Sequence, residues 1–154
     1  MADAVRCAGG WLFDRVAAGW DVTVLTADHA DPRPLRILGA RPADLQCALS
    51  SPVRGPRPRA IAVCGGLYGS DPRVRRMVAR ALDELVEITL WDGTAPAAEP
   101  AGPAGEGPGE GEWLPHRLSV AARAFKAQAM AAACVPADAA GATEFFRRRE
   151  PVRA

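Results

Sequence analysis

The chain has 154 residues, of which 49% are hydrophobic and 24% charged, and its formal net charge is +1. That balance belongs to a globular fold long enough to bury a core, and it excludes wholesale disorder. So small an excess of charge gives no global electrostatic case for nucleic acid or an anionic membrane. The basic residues are nearly all arginine, with Lys126 the only lysine, and Ala, Gly and Pro abound. This is first a high-GC codon effect, so the arginines are not read as a nucleic-acid signature.

Residues 4–18 are predicted to form a helix, with Val5, Ala8, Leu12 and Val16 at helical spacing and Gly19 as its stop. A strand follows at 21–26, where Val22, Val24 and Leu25 supply apolar and β-branched character. Residues 27–41 read as a loop, and Leu35, Ile37 and Leu38 in it are expected to tuck onto the core. Pro42 suits the first turn of a short helix over 43–49, and the Pro/Ser-rich stretch 50–58 reads as a connector.

The clearest unit comes next. AIAVC at 60–64 reads as a strand buried on both faces, and GGLYGS as a turn. Residues 72–85 carry Val74, Met77, Val78, Ala81, Leu82 and Leu85 on one helical stripe, with Asp71 as N-cap and Pro72 at the first position. VEITLW at 86–91 is a further strand, completing a βαβ unit. Residues 93–112 hold no apolar residue larger than alanine and are expected to be a disordered acidic linker. A helix is predicted over 115–134 with Leu118, Ala121, Ala122, Phe125 and Met130 on its apolar side, then a helical segment around 137–147.

The alternation predicts an α/β fold: a small three-layer, Rossmann-like domain with a short, mostly parallel sheet of three or four strands. The expected organisation is an α/β core over 1–92, the linker at 93–112, C-terminal helices over 113–147 packing on the core, and a basic tail at 148–154. So few strands leave sheet edges uncovered, and an open edge invites a partner. No 18-residue apolar run exists to cross a bilayer. Asp3 stands where a secretory signal is basic, and Asp14 and Arg15 break the apolar stretch behind it, so a cytoplasmic location is expected.

In parallel sheets, ligands bind beyond the carboxyl ends of the strands. Those ends are expected at Thr26–His29, Cys64–Ser70 and Trp91–Thr94. The loop Gly65, Gly66, Gly69, Ser70 with Arg73 is a candidate anion-binding site, because glycines admit close approach and a helix N-terminus offers amides. It matches neither GxGxxG nor GxxxxGK[ST], and Asp71 opposes an anion, so a self-capped strand-to-helix turn is the plainer reading. Cys64 after a strand and before glycines is a candidate nucleophile with His29 as base, oriented by Asp28 or Asp31; the alternative is a buried thiol.

Cys7, Cys47, Cys64 and Cys134 show no zinc spacing, so no metal site is expected, and no residue pattern identifies a cofactor. The run Arg147–Arg149, beside Glu144 and Glu150, reads as a solvated helix end rather than a contact for nucleic acid or phospholipid. Trp91 and Trp113 are candidate rim or interface residues.

The expected function is a binding or regulatory module acting with a protein partner or as a homo-oligomer. The alternative is a small-molecule hydrolase or transferase using Cys64 or the Gly65–Ser70 loop.

Overall fold

The computed structural model describes residues 1–26, 31–50, 57–91, 113–136 and 141–149. The elements in order are α1 (Ala2–Ala17), β1 (Thr23–Thr26), α2 (Arg33–Ile37), β2 (Arg41–Asp44), α3 (Leu45–Ser50), β3 (Ala60–Cys64), α4 (Gly65–Ser70), α5 (Pro72–Asp83), β4 (Glu87–Trp91), β5 (Trp113–Arg117), α6 (Val120–Ala132) and β6 (Thr143–Arg149). The α/β class holds, but among the described residues the strands fall into two sheets where a single mostly parallel one was expected. β1 and β2 form a parallel pair, and a second sheet has the order β3-β4-β6-β5. In that sheet β3 runs parallel to β4, while β4 and β6 are antiparallel.

The chain divides into two compact units, Met1–Val53 with His116–Glu144 and Arg54–Pro115 with Phe145–Ala154. In the first unit, Val5 and Leu12 of α1 join Val24, Leu35, Leu38, Ala40, Ala129 and Met130 in one apolar core. Leu35 and Leu38 are fully buried, as their apolar character requires, although Leu35 lies in the short helix α2 and Leu38 caps it, where a loop was expected. In the second unit α5 packs on β4, burying Val74, Val78 and Ala81 along with Val63, Ile88, Leu90 and Phe146.

Helix ends explain much of this order. Asp71 caps α5 as its sequence position implies, accepting from the Arg73 amide at 2.8 Å, with Pro72 in the first turn. Four helices close with a left-handed residue and an amide that returns five residues: α1 at Gly19, α2 at Gly39, α5 at Leu85 and α6 at Cys134. Of these four, only Gly19 is read as a stop from the sequence. At Gly39 even a Cβ would lie 2.8 Å from the Val16 side chain.

Several sequence expectations are corrected. Pro42 lies in β2, and the helix begins after it at Leu45. GGLYGS is helix α4, not a turn. β3 stands at an end of its sheet and buries only Val63, so it is an edge strand rather than one covered on both faces. Pro115 belongs to β5; α6 starts later, where the Ser119 hydroxyl accepts the Ala122 amide. Its buried stripe is Ala122, Lys126, Ala129 and Met130, while Phe125 is exposed and stacks on Phe13 at 4.5 Å. Residues 143–149 form a strand, not a helix, so Arg147–Arg149 pair with β4 instead of ending a helix in solvent. The expected linker at 93–112 and the end of the basic tail lie outside the described residues.

Candidate functional site

The second unit holds the sequence-nominated rim. Cys64 ends β3 and precedes α4, and parallel register sets it opposite Trp91 at the end of β4. The thiol is half-buried and unbridged. Gly66 lies close enough that a Cβ on it would be 3.9 Å from the Cys64 sulfur. The buried Trp91 Nε1 has no hydrogen-bond partner among the described residues, which leaves an unspent donor beside Cys64 in register.

The described charged groups of this rim are engaged locally. The Arg73 guanidinium donates to the Asp71 carboxylate at 2.9 Å, and that carboxylate already caps α5. The hydrogen bond from the Arg73 side chain, reinforced by its amide, holds the Asp71 carboxyl below the ordinary carboxylate range. Arg75 donates to the carbonyls of Tyr68 and Gly69, at 3.2 and 2.6 Å, where α4 ends. The Ser70 hydroxyl turns back onto the Leu67 carbonyl. Gly65, Gly66 and Gly69 form a helix whose neighbouring cations are occupied, rather than an open loop awaiting an anion. His29, with Asp28, lies outside the described residues, so the Cys64–His29 pairing has no geometry to report.

The first unit contains two polar constellations that sequence reasoning missed. Lys126 and Glu144, 2% and 3% exposed, form an ion pair at 2.8 Å. The Glu144 carboxylate also accepts the amides of Gly10 and Trp11 at 2.9 and 2.8 Å, from the middle of α1. Of the two glycines here, Gly10 is the one that close packing requires. A Cβ on Gly10 would stand 2.3 Å from the Leu118 side chain, whereas one on Gly9 would meet Lys126 at an ordinary contact distance of 3.5 Å. The signal for this site was present: a single lysine in an arginine-rich chain, and two adjacent glycines inside a helix.

The other constellation centres on Asp14. His116 Nε2 donates to its carboxylate at 2.9 Å, and the Ser119 amide does so at 3.3 Å. Partial burial pushes the Asp14 carboxyl up, but hydrogen bonds from Ser119 and His116 outweigh it and hold the group below its ordinary value. Together these bonds fasten the start of α6 to α1.

Among the described residues, no group of three or more His, Cys, Asp or Glu side chains could hold a metal ion. No helix among them is long and apolar enough to cross a membrane. Comparison with known proteins returned no match: no family model fits the chain, and no curated sequence or solved structure is similar to it.

Proposed function

We propose that the protein is a binding or regulatory module that acts with a protein partner or as a homo-oligomer, with β3 as a contact. The observation that carries this reading is the position of β3 at the end of its sheet. Its sequence, AIAVC, is wholly apolar, and its outer edge pairs with no strand among the described residues. Such an edge offers a row of backbone donors and acceptors to an added strand, and main-chain pairing then supplies affinity. Leu85 gives independent support. It is 86% exposed and holds a left-handed φ of 59°, a position where glycine would be less strained. A large apolar side chain kept there at a cost to stability fits a contact residue. Asp71 and Arg73 pair with each other and Arg75 with the Tyr68 and Gly69 carbonyls, so these described charges of the adjoining rim are already engaged.

Sedimentation velocity over a concentration range tests this, with pull-down against the same lysate for the wild type and for Ala62→Lys. A lysine on an edge strand opposes pairing. The expected result is association by the wild type that Ala62→Lys weakens while circular dichroism stays unchanged. Leu85→Gly is expected to stabilise the fold by about 1 kcal/mol by relieving the left-handed strain, and to weaken association. A strictly monomeric chain with no partner overturns the reading.

A second reading, a hydrolase or transferase with Cys64 as nucleophile, draws on the half-buried thiol at the junction of β3 and α4. It predicts fast alkylation of Cys64 by iodoacetamide in the folded protein, mapped by mass spectrometry apart from the exposed Cys47 and Cys134. A Cys64 thiol inert until denaturation removes it.

A further inference from the structure

We infer that Arg15, held over the indole rings of Trp11 and Trp20, is a binding site for a carboxylate group. Trp11 precedes Arg15 by one helical turn on α1, and the guanidinium carbon lies 5.1 Å from its ring centroid. Trp20 returns to the same side chain because Gly19, at φ 85°, reverses the chain and the Trp20 amide donates to the Arg15 carbonyl at 3.0 Å. That places the second ring 4.8 Å from the guanidinium.

Both contacts engage the flat faces of the rings, which orders the side chain without spending its N–H groups. Among the described residues the Arg15 guanidinium makes no hydrogen bond and no ion pair. The neighbouring carboxylates are taken: Asp14 accepts from His116 and Ser119, and Asp21 pairs with Arg41 at 2.7 Å. What remains is a positioned planar cation with an unused fork of donors and two half-buried indoles beside it.

A planar fork matches a carboxylate in bidentate geometry. A phosphate dianion is a poorer fit, since it presents more acceptor oxygens and more charge than one guanidinium satisfies. The indoles favour a carboxylate with an apolar or aromatic body. Ordering the arginine in advance removes part of the entropy cost that such a contact otherwise carries. The site stands whether or not β3 pairs with a partner strand.

The test follows the four tryptophan indole N–H signals in a ¹H–¹⁵N correlation spectrum of the full chain, assigned with Trp11→Phe and Trp20→Phe. Benzoate, its neutral counterpart benzamide, inorganic phosphate and a short peptide of Glu and Phe are titrated in turn. Benzoate is expected to move the Trp11 and Trp20 signals saturably, benzamide not to, and phosphate only more weakly. Arg15→Gln is expected to weaken benzoate binding about tenfold or more. Arg15→Lys, which keeps the charge and the fold but loses the fork, should fall between. Tighter binding of the peptide than of benzoate assigns the carboxylate to a partner's side chain; the reverse assigns it to a free acid. Equal responses to benzoate and benzamide, phosphate binding as tight as benzoate, or an Arg15→Gln variant that binds like the wild type overturns the site.

Discussion

Two carboxylates, Asp71 in one unit and Glu144 in the other, do comparable hydrogen-bonding work by opposite routes. Asp71 is half-buried and finds its partners two residues away, in the amide and guanidinium of Arg73. Glu144 is buried and draws its partners from across the sequence: Lys126 from α6 and the Gly10 and Trp11 amides from α1. The Asp71 set sits at a helix end within reach of water, which can take over part of its bonding. The buried set cannot be replaced by water, so losing a member leaves a desolvated group unpaired. Where a polar contact sits decides its weight more than how many bonds it makes.

The largest expected effects therefore fall on the buried set. Lys126→Met and Glu144→Leu should each destabilise by about 3–5 kcal/mol, measured by urea unfolding. Glu144→Leu should be the worse, because it strands the lysine and two amides, whereas Lys126→Met leaves a carboxylate that still accepts both amides. Equal, small losses would reduce the pair to a surface-like contact.

Next come the glycines beside it. Gly10→Ala drives a methyl into Leu118 and should cost about 1–3 kcal/mol, while Gly9→Ala meets only ordinary contacts and should be neutral or stabilise by up to about 1 kcal/mol through helix propensity. The two alanine variants, one residue apart, thus separate close packing from backbone entropy.

Asp14 lies between the extremes. Its folded carboxyl titrates below the ordinary value, so its bonds to Ser119 and His116 contribute stability above about pH 4. That contribution is lost as pH falls through the lower folded pKa. Asp14→Asn should reduce stability at neutral pH and flatten the acid limb of the stability profile. An unchanged limb would count against the cluster. The smallest effect belongs to Asp71→Ala, a slight drop in melting temperature with no change at the Glu144 site.

The same contrast explains what the sequence disclosed. The βαβ run was legible because its signals are local: the apolar stripe of α5, the Asp71–Pro72 start and the run AIAVC. The strand at β6 was not, since Phe145 and Phe146 suit helix or strand and the choice is made by pairing with β4. Lys126 was read as a compositional oddity because nothing within a few residues of it is its partner. Glu144 was read as solvated for the same reason. For the nominated rim, the Asp71 cap was legible, but the helical state of Gly65–Ser70 ran against glycine's preference. The position of β3 at a sheet edge depended on the global strand order, which local pattern does not carry.

That edge is the claim on which the functional account rests, and amide hydrogen exchange on the dilute chain reaches it most directly. β4 lies between two strands, so its amides should exchange slowly throughout. Along residues 60–64 of β3, protection should alternate, slow where an amide faces β4 and fast where it faces outward. Uniform protection of all the β3 amides, equal to that of β4, would mean the outer edge is already satisfied and would contradict the account.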